Sequence, residues 1–211
     1  MLHALLNVSA QIPTIYFSRT FILYPGLASS GVRAITMPDG YAFTAIEGIY
    51  GNPKGSAVII TDKAGNFIKT KNIIAKDYPY TYVTGLKYNP QDSTFLIWGE
   101  YFKDIPKREL IPFIMKSTFE IDTIWNLDIN IPNYNACRSV IELPSGDYIM
   151  GITGTVKTGK PDTMKIVCVS KDGEIKWHKK YAYGFYVYQI YGLLNESDST
   201  FLVGYSGFNI K

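Results

Sequence analysis

An aromatic residue returns at a near-constant interval along this 211-residue chain, and that periodicity restricts the available folds more than any other feature. The unit is a polar turn, an aromatic anchor and an apolar run. It occurs as Asp39-Gly40-Tyr41-Ala42-Phe43, Ser93-Thr94-Phe95-Leu96-Ile97, Gly146-Asp147-Tyr148-Ile149-Met150 and Ser199-Thr200-Phe201-Leu202-Val203. The anchors Tyr41, Phe95, Tyr148 and Phe201 are spaced by 54, 53 and 53 residues. A second motif keeps the same period. Apolar segments around Ile59, Ile114 and Val167 run into the turns Asp62-Lys63-Ala64-Gly65, Ser117-Thr118-Phe119-Glu120 and Ser170-Lys171-Asp172-Gly173. A further strand follows each turn, and Phe67, Ile121 and Ile175 align at intervals of 54. Strand, tight polar turn and strand is the signature of a β-hairpin.

Each unit therefore holds four short strands. Strand A covers 32–37, 82–88 or 139–143, strand B starts at the aromatic anchor, and strands C and D form the second hairpin. No segment sustains a 3.6-residue apolar period, so no helix is expected. A repeat of this length carrying four strands is the pattern of a propeller blade, which must stack on neighbours to cover its faces. The expected fold is an all-β, β-propeller architecture of four-stranded antiparallel blades, with about three and a half blades visible. A single, incomplete domain is expected over 11–211. Its blades fall near 30–81, 82–135, 136–188 and 189–211, with 14–23 as a leading outer strand. The 17 tyrosines suit half-buried strand positions.

The remaining composition narrows compartment and partners. A formal net charge of +3 is too small to argue for nucleic acid, and no apolar run approaches the ~18 residues of a membrane span. The start, MLHALLNVSA, is apolar and ends in small residues before Gln11. It reads as the tail of a signal peptide over 1–10 or as an ordinary lead into the first strand. Cys137 and Cys168 fall on strands A and C of one unit. Strands two apart lie about 9–10 Å from each other, beyond the roughly 7 Å that a disulfide spans, so two free, buried thiols are expected. With His3 and His178 as the only histidines, no metal site is expected.

The turn-to-tryptophan pattern, best seen as Lys171-Asp172-Gly173 to Trp177, resembles that of a family of secreted propeller-repeat proteins common among Bacteroidota surface proteins. The resemblance covers 14–211 and implies an exported, secreted or cell-surface protein without implying an activity. Two other propeller groups are similar in part. Quinoprotein-like propellers share the strand pair from Asp172-Gly173 to Trp177, but no convergent cofactor pocket accompanies it. Sialidase-like propellers carry an Asp-box to which Ser170–Trp177 comes close, with its Gly one place early and Lys176 where the box has Thr. Only four arginines, Arg19, Arg33, Arg108 and Arg138, are present to grip a carboxylate.

No catalytic constellation stands out. Asp39, Asp62, Asp147 and Asp172 belong in or beside turns, where Asp caps backbone N–H groups, and His178 belongs on an outer strand. A non-enzymatic module for extracellular binding or scaffolding is expected, without cofactor, as a monomeric domain. The alternative is a fragment of a hydrolase-like or quinoprotein-like propeller enzyme whose active residues lie elsewhere. The B–C connections, 48–55, 100–110 and 155–163, are expected to be long and carry Lys54, Lys103, Lys107, Arg108, Lys157 and Lys160. The D–A connections carry Tyr78, Tyr80, Tyr134, Tyr181, Tyr183, Phe185 and Tyr186. Both sets emerge on one face. That face is expected to bind a glycan or a protein segment through Tyr80, Arg108, Tyr134 and Tyr183. The alternative is that the tyrosines pack between blades while the lysines keep the rim soluble.

Overall fold

The computed structural model describes residues 29–49, 52–74, 77–78, 80–104, 109–130, 134–154, 164–181, 186–197 and 200–208. They form fourteen strands and no helix. The first sheet is β1 (Ser29–Met37), β2 (Gly40–Ile49), β3 (Asn52–Asp62) and β4 (Phe67–Ile73). The second is β5 (Tyr80–Asn89), β6 (Thr94–Asp104), β7 (Glu109–Ser117) and β8 (Thr123–Asp128). The third is β9 (Tyr134–Glu142), β10 (Tyr148–Gly154), β11 (Met164–Val169) and β12 (Ile175–Tyr181). A last pair is β13 (Tyr186–Asn195) and β14 (Phe201–Phe208). Every strand pairs antiparallel with its sequence neighbour, so each sheet is a meander in chain order. No ring closure is present among the described residues.

Consecutive sheets share cores. The first core joins Ala42, Val58 and Ile60 to Val83, Phe95, Ile97 and Phe113. The second joins Leu96, Trp98 and Ile114 to Cys137, Tyr148, Met150 and Val167. The third joins Ile149, Ile166 and Cys168 to Ile190. Alternate residues of a strand point to opposite faces. In β6, Phe95 and Ile97 thus enter the first core while Leu96 and Trp98 enter the second. This explains the unbroken apolar runs of the middle strands, which are buried on both faces. The outermost strands β4, β8 and β12 are largely exposed.

The turns follow residue chemistry, with one shift of register. In each C–D turn two backbone bonds recur: Asp62 N–H to Asn66 and Gly65 N–H to Asp62, then Thr118 to Asp122 and Ile121 to Thr118, then Ser170 to Glu174 and Gly173 to Ser170. The fourth turn residue is left-handed each time: Gly65 (φ 77°), Ile121 (φ 63°) and Gly173 (φ 88°). Ile121 is therefore a turn residue, and the true counterpart of Phe67 and Ile175 is Thr123, which pairs with Ser117 as they pair with Thr61 and Val169. A β-branched residue in this conformation costs ~1–2 kcal/mol. It is offset here by burial, since Ile121 is 3% exposed in the first core.

Two expected long connections are shorter than the sequence suggests. The β2–β3 ladder continues through Gly48–Pro53 to Ile49–Asn52, and β6 runs past Glu100 to Asp104, paired with Glu109. Gly48, Asn52 and Pro53 read as loop residues, but a bulge at Glu47/Gly48 lets the ladder pass them. Residues 155–163 lie outside the described residues.

Each strand A carries a bulge at the same place, with Val32, Thr84, Arg138 and Tyr191 as the extra residue. Around these bulges strand A is tied to the sheet before or after it. Val83 N–H donates to Ser56 Oγ (2.9 Å), and Ser56 Oγ–H donates to the Thr81 carbonyl (3.1 Å). Thr84 Oγ1 donates to the Cys137 carbonyl (2.6 Å), and Leu193 N–H donates to Ser139 Oγ (3.0 Å). Side chains thus satisfy main-chain groups on the edge of strand A that faces no partner strand.

Cys137 and Cys168 are free and buried on either side of β10, opposite Ile152 and Ile149. They enter different cores, so they face away from each other. Burial, reinforced by Glu100, holds the Cys137 thiol far above its ordinary range. Burial also raises that of Cys168. Cys137, with no exposed surface, is expected to react with a thiol reagent no faster than the chain unfolds. A time course of labelling against denaturant concentration checks this; fast labelling of Cys137 in native protein would refute it.

Candidate functional site

Of the four residues expected to form a binding face, Tyr80 alone has a described side chain. Tyr80 opens β5 opposite Phe102 but is only 4% exposed, its ring edge-on to Phe102 at 4.9 Å. Burial, with Tyr82 and Glu100 nearby, holds its hydroxyl far above the usual tyrosine range. Tyr80 therefore contributes packing where the sequence suggested contact. Tyr134 starts β9 opposite Gly154. Its side chain, together with Arg108 and Tyr183, lies outside the described residues.

The same end of the second sheet holds a group that sequence reasoning assigned to a loop. Glu100 is 1% exposed and accepts the Cys137 N–H at 3.0 Å through Oε1. Burial raises its carboxyl to about 8, against the opposing pull of Arg138 and of that N–H. The Arg138 guanidinium lies 5.6 Å from the ring centroid of Tyr82, and Tyr82 is the cross-strand partner of Glu100. Cys137 occupies the register that Val83 holds one repeat earlier, where Ser56 does the accepting. Glu100 is thus a proton-bearing strut between the second and third sheets. The only advance signal was a lone carboxylate at the end of an apolar run, Phe95 to Gly99.

A concavity lies on the outer side, between the first two sheets. It encloses about 470 Å³ between β4, the segment before β5, and β8. Tyr78 and Tyr101 line it as a stacked pair, and Tyr101 lies in turn on the fully buried ring of Phe113. Tyr78 lies 4.9 Å from Tyr101 at 10°, and Tyr101 lies 4.2 Å from Phe113 at 9°. Polar groups orient the stack: Tyr78 O–H donates to Asp128 Oδ2 (3.2 Å), Tyr101 O–H to Asn126 Oδ1 (3.0 Å), and Asn126 Nδ2 to Asp128 Oδ1 (2.9 Å). Lys71 pairs with Asp122 across the groove mouth. Burial, then the Asp128 charge, raises the Tyr78 hydroxyl above its ordinary value. The phenol therefore stays neutral and donates. The half-buried Tyr78 ring is thereby held beside neutral and charged hydrogen-bonding groups.

The turn aspartates serve the turns. Asp62 Oδ1 accepts from Ala64 N–H and Asn66 N–H, both at 2.8 Å. Asp147 pairs with Lys176 at 2.6 Å, which holds its carboxyl below the usual range. His178 is exposed on β12. No cluster of three or more metal-ligating side chains exists among the described residues.

No protein-family model matches the chain, and no curated protein matches it either. Fold and site together define an all-β repeat protein, built of four-stranded antiparallel sheets that share cores with their neighbours. No helix of the described residues is long and apolar enough to cross a membrane.

Proposed function

We propose that the chain is part of an exported β-propeller whose four-stranded sheets are its blades, and that it is an extracellular or cell-surface binding module rather than an enzyme. The observation that carries this reading is the outer groove, where a tyrosine stack stands beside Asn126, Asp128 and the Lys71–Asp122 pair. Apolar sugar faces lie flat on aromatic rings, while ring hydroxyls exchange hydrogen bonds with amides and carboxylates. A neutral or amino-sugar glycan therefore suits this groove. Rigid aromatic rings and adaptable polar groups bind at low entropic cost. The resemblance of the turn-to-tryptophan repeats to secreted propeller repeats supports export.

The test is a glycan-array screen of the whole chain, followed by titration of the hits against a Tyr78→Ala variant. Saturable binding that weakens at least tenfold in the variant, with an unchanged melting temperature, is the expected result. Binding indifferent to Tyr78, or no glycan bound at all, would overturn the assignment of this groove.

A further inference from the structure

The groove between the first two sheets carries negative charge that its own described residues leave uncompensated. Those lining it include three carboxylates, Asp77, Asp122 and Asp128, and one ammonium, Lys71. Lys71 is taken by Asp122. Asp77 is exposed and Asp128 half-buried, and neither has a cationic partner among the described residues. The donors that Asp128 does hold are neutral: Tyr78 O–H at Oδ2 (3.2 Å) and Asn126 Nδ2 at Oδ1 (2.9 Å). A carboxylate oxygen can accept twice, so each oxygen of Asp128 keeps an acceptor site beyond these bonds.

The ring beside these carboxylates suits the same charge. Tyr101 stacks on one face of Tyr78 (4.9 Å, 10°), so a ligand meets the ring on its other face. A phenol that donates to a carboxylate gains electron density, and an electron-rich ring face attracts a cation. Burial first, then the charge and hydrogen bond of Asp128 and the charge of Asp77, hold the Tyr78 hydroxyl above its ordinary value. Both carboxylates therefore act on this ring. A cleft with low-dielectric walls focuses such a field. A neutral sugar leaves it unanswered, and an anionic sugar is repelled. No three metal-ligating side chains cluster among the described residues, so an organic cation suits the groove better than a metal ion.

We propose that the groove selects an amino sugar by its protonated primary amine, which the Asp128 and Asp77 carboxylates hold beside the Tyr78 ring. The ammonium offers three N–H donors to the acceptor sites these carboxylates leave open, and charge on both partners strengthens the bonds. The apolar face of the sugar lies on Tyr78. An N-acetylated sugar lacks the charge and brings a bulkier amide to the same place. The ligand is therefore a hexosamine oligomer with free amines. A volume of about 470 Å³ falls within the range of small-ligand sites. This inference rests on the glycan reading of the groove and adds the charge that the glycan must carry.

The probes are a glucosamine tetrasaccharide and its fully N-acetylated counterpart, titrated into the whole chain by calorimetry at about pH 5.5, with the sugar amines protonated. The expected result is one-to-one binding of the amine form, at least tenfold tighter than of the N-acetylated form. Asp128→Asn and Tyr78→Ala should each weaken it at least tenfold. Asp77→Asn, at an exposed position that no core depends on, should weaken it at least threefold. Melting temperatures of the variants separate a lost contact from a lost fold. Equal affinity for the two sugars, both dependent on Tyr78, would overturn this inference and leave the glycan groove standing. Binding that ignores Tyr78, or no binding of either sugar, would overturn both. Binding of the amine form that ignores both aspartates would overturn the inference, as would a linear tetra-amine bound as tightly as the amino sugar, since charge alone would then be read.

Discussion

Glu100→Gln is expected to flatten the pH dependence of folding stability between about pH 5 and 8, and to stabilise the protein at pH 9 by ~3 kcal/mol. Folded Glu100 keeps its proton to about pH 8, whereas its ordinary value is 4.5. Between those values the folded state binds one proton more than the unfolded chain, so stability falls as pH rises through this window. Above pH 8 the native protein holds a charge at a position 1% exposed, with Arg138 as its partial compensation. Glutamine retains an oxygen for the Cys137 N–H and cannot ionise. Part of the gain is lost because its amide brings donors into a buried site. Urea titrations of both proteins at pH 5, 7 and 9 test the expectation, and equal slopes against pH would refute it. Below pH 4 both proteins should lose stability together. Asp147, held below its usual range by Lys176, contributes stability that is present above the ordinary carboxylate value and is lost as pH falls through its lowered one.

Gly99→Ala is expected to cost ~3 kcal/mol or more. Gly99 pairs with Val83 just before the strand A bulge. A Cβ at Gly99 would overlap the Tyr82 carbonyl oxygen and lie 2.9 Å from Val83 Cα. These are backbone atoms held in the β5–β6 ladder, and no rotamer change relieves the overlap. At Gly85 the collision is with the Trp98 indole instead, a side chain that can shift at some cost in the second core. Gly192→Ala is the matched comparison. It lies in β13, a strand A, and nothing stands within 4 Å of the added atom, so stability should change by no more than about 0.5 kcal/mol. Thermal and urea unfolding of the two variants decides the matter. Equal stabilities would mean that β5 and β6 do not approach at Gly99 as described.

The hairpins were legible because they are local. Tyr41, Phe95, Tyr148 and Phe201 mark strand B in each unit, and the turn glycines Gly65, Gly146 and Gly173 sit in the left-handed conformation their residue type favours. The separation of Cys137 and Cys168 on one sheet followed from strand order alone. Ile121 was misplaced by alignment at constant spacing, because nothing in its side chain announces a positive φ. The shift is visible only from the turn hydrogen bonds. The ends of the B–C connections were misjudged for a related reason. Gly48, Pro53 and the run after Glu100 carry loop-like composition, while bulges and cross-strand pairing keep them in the ladder.

The candidate site was less legible than the fold. Tyr80 looked like a contact residue because tyrosine serves surfaces and cores equally well, and its burial depends on Phe102 across the sheet. Glu100 gave no hint of a bond to a residue 37 positions on. The stack of Tyr78, Tyr101 and Phe113 joins three segments that no motif links.

The strands, their meander order and the four-stranded unit are written in local sequence. Those depend on two-residue alternation and on turns that close within a few residues. Packing between units decided which face of each strand meets which core and which N–H of a bulged strand A is taken by the neighbouring sheet. These depend on contacts between units some fifty residues apart. A strand that is apolar on both faces carries no periodic mark of which neighbour it will meet.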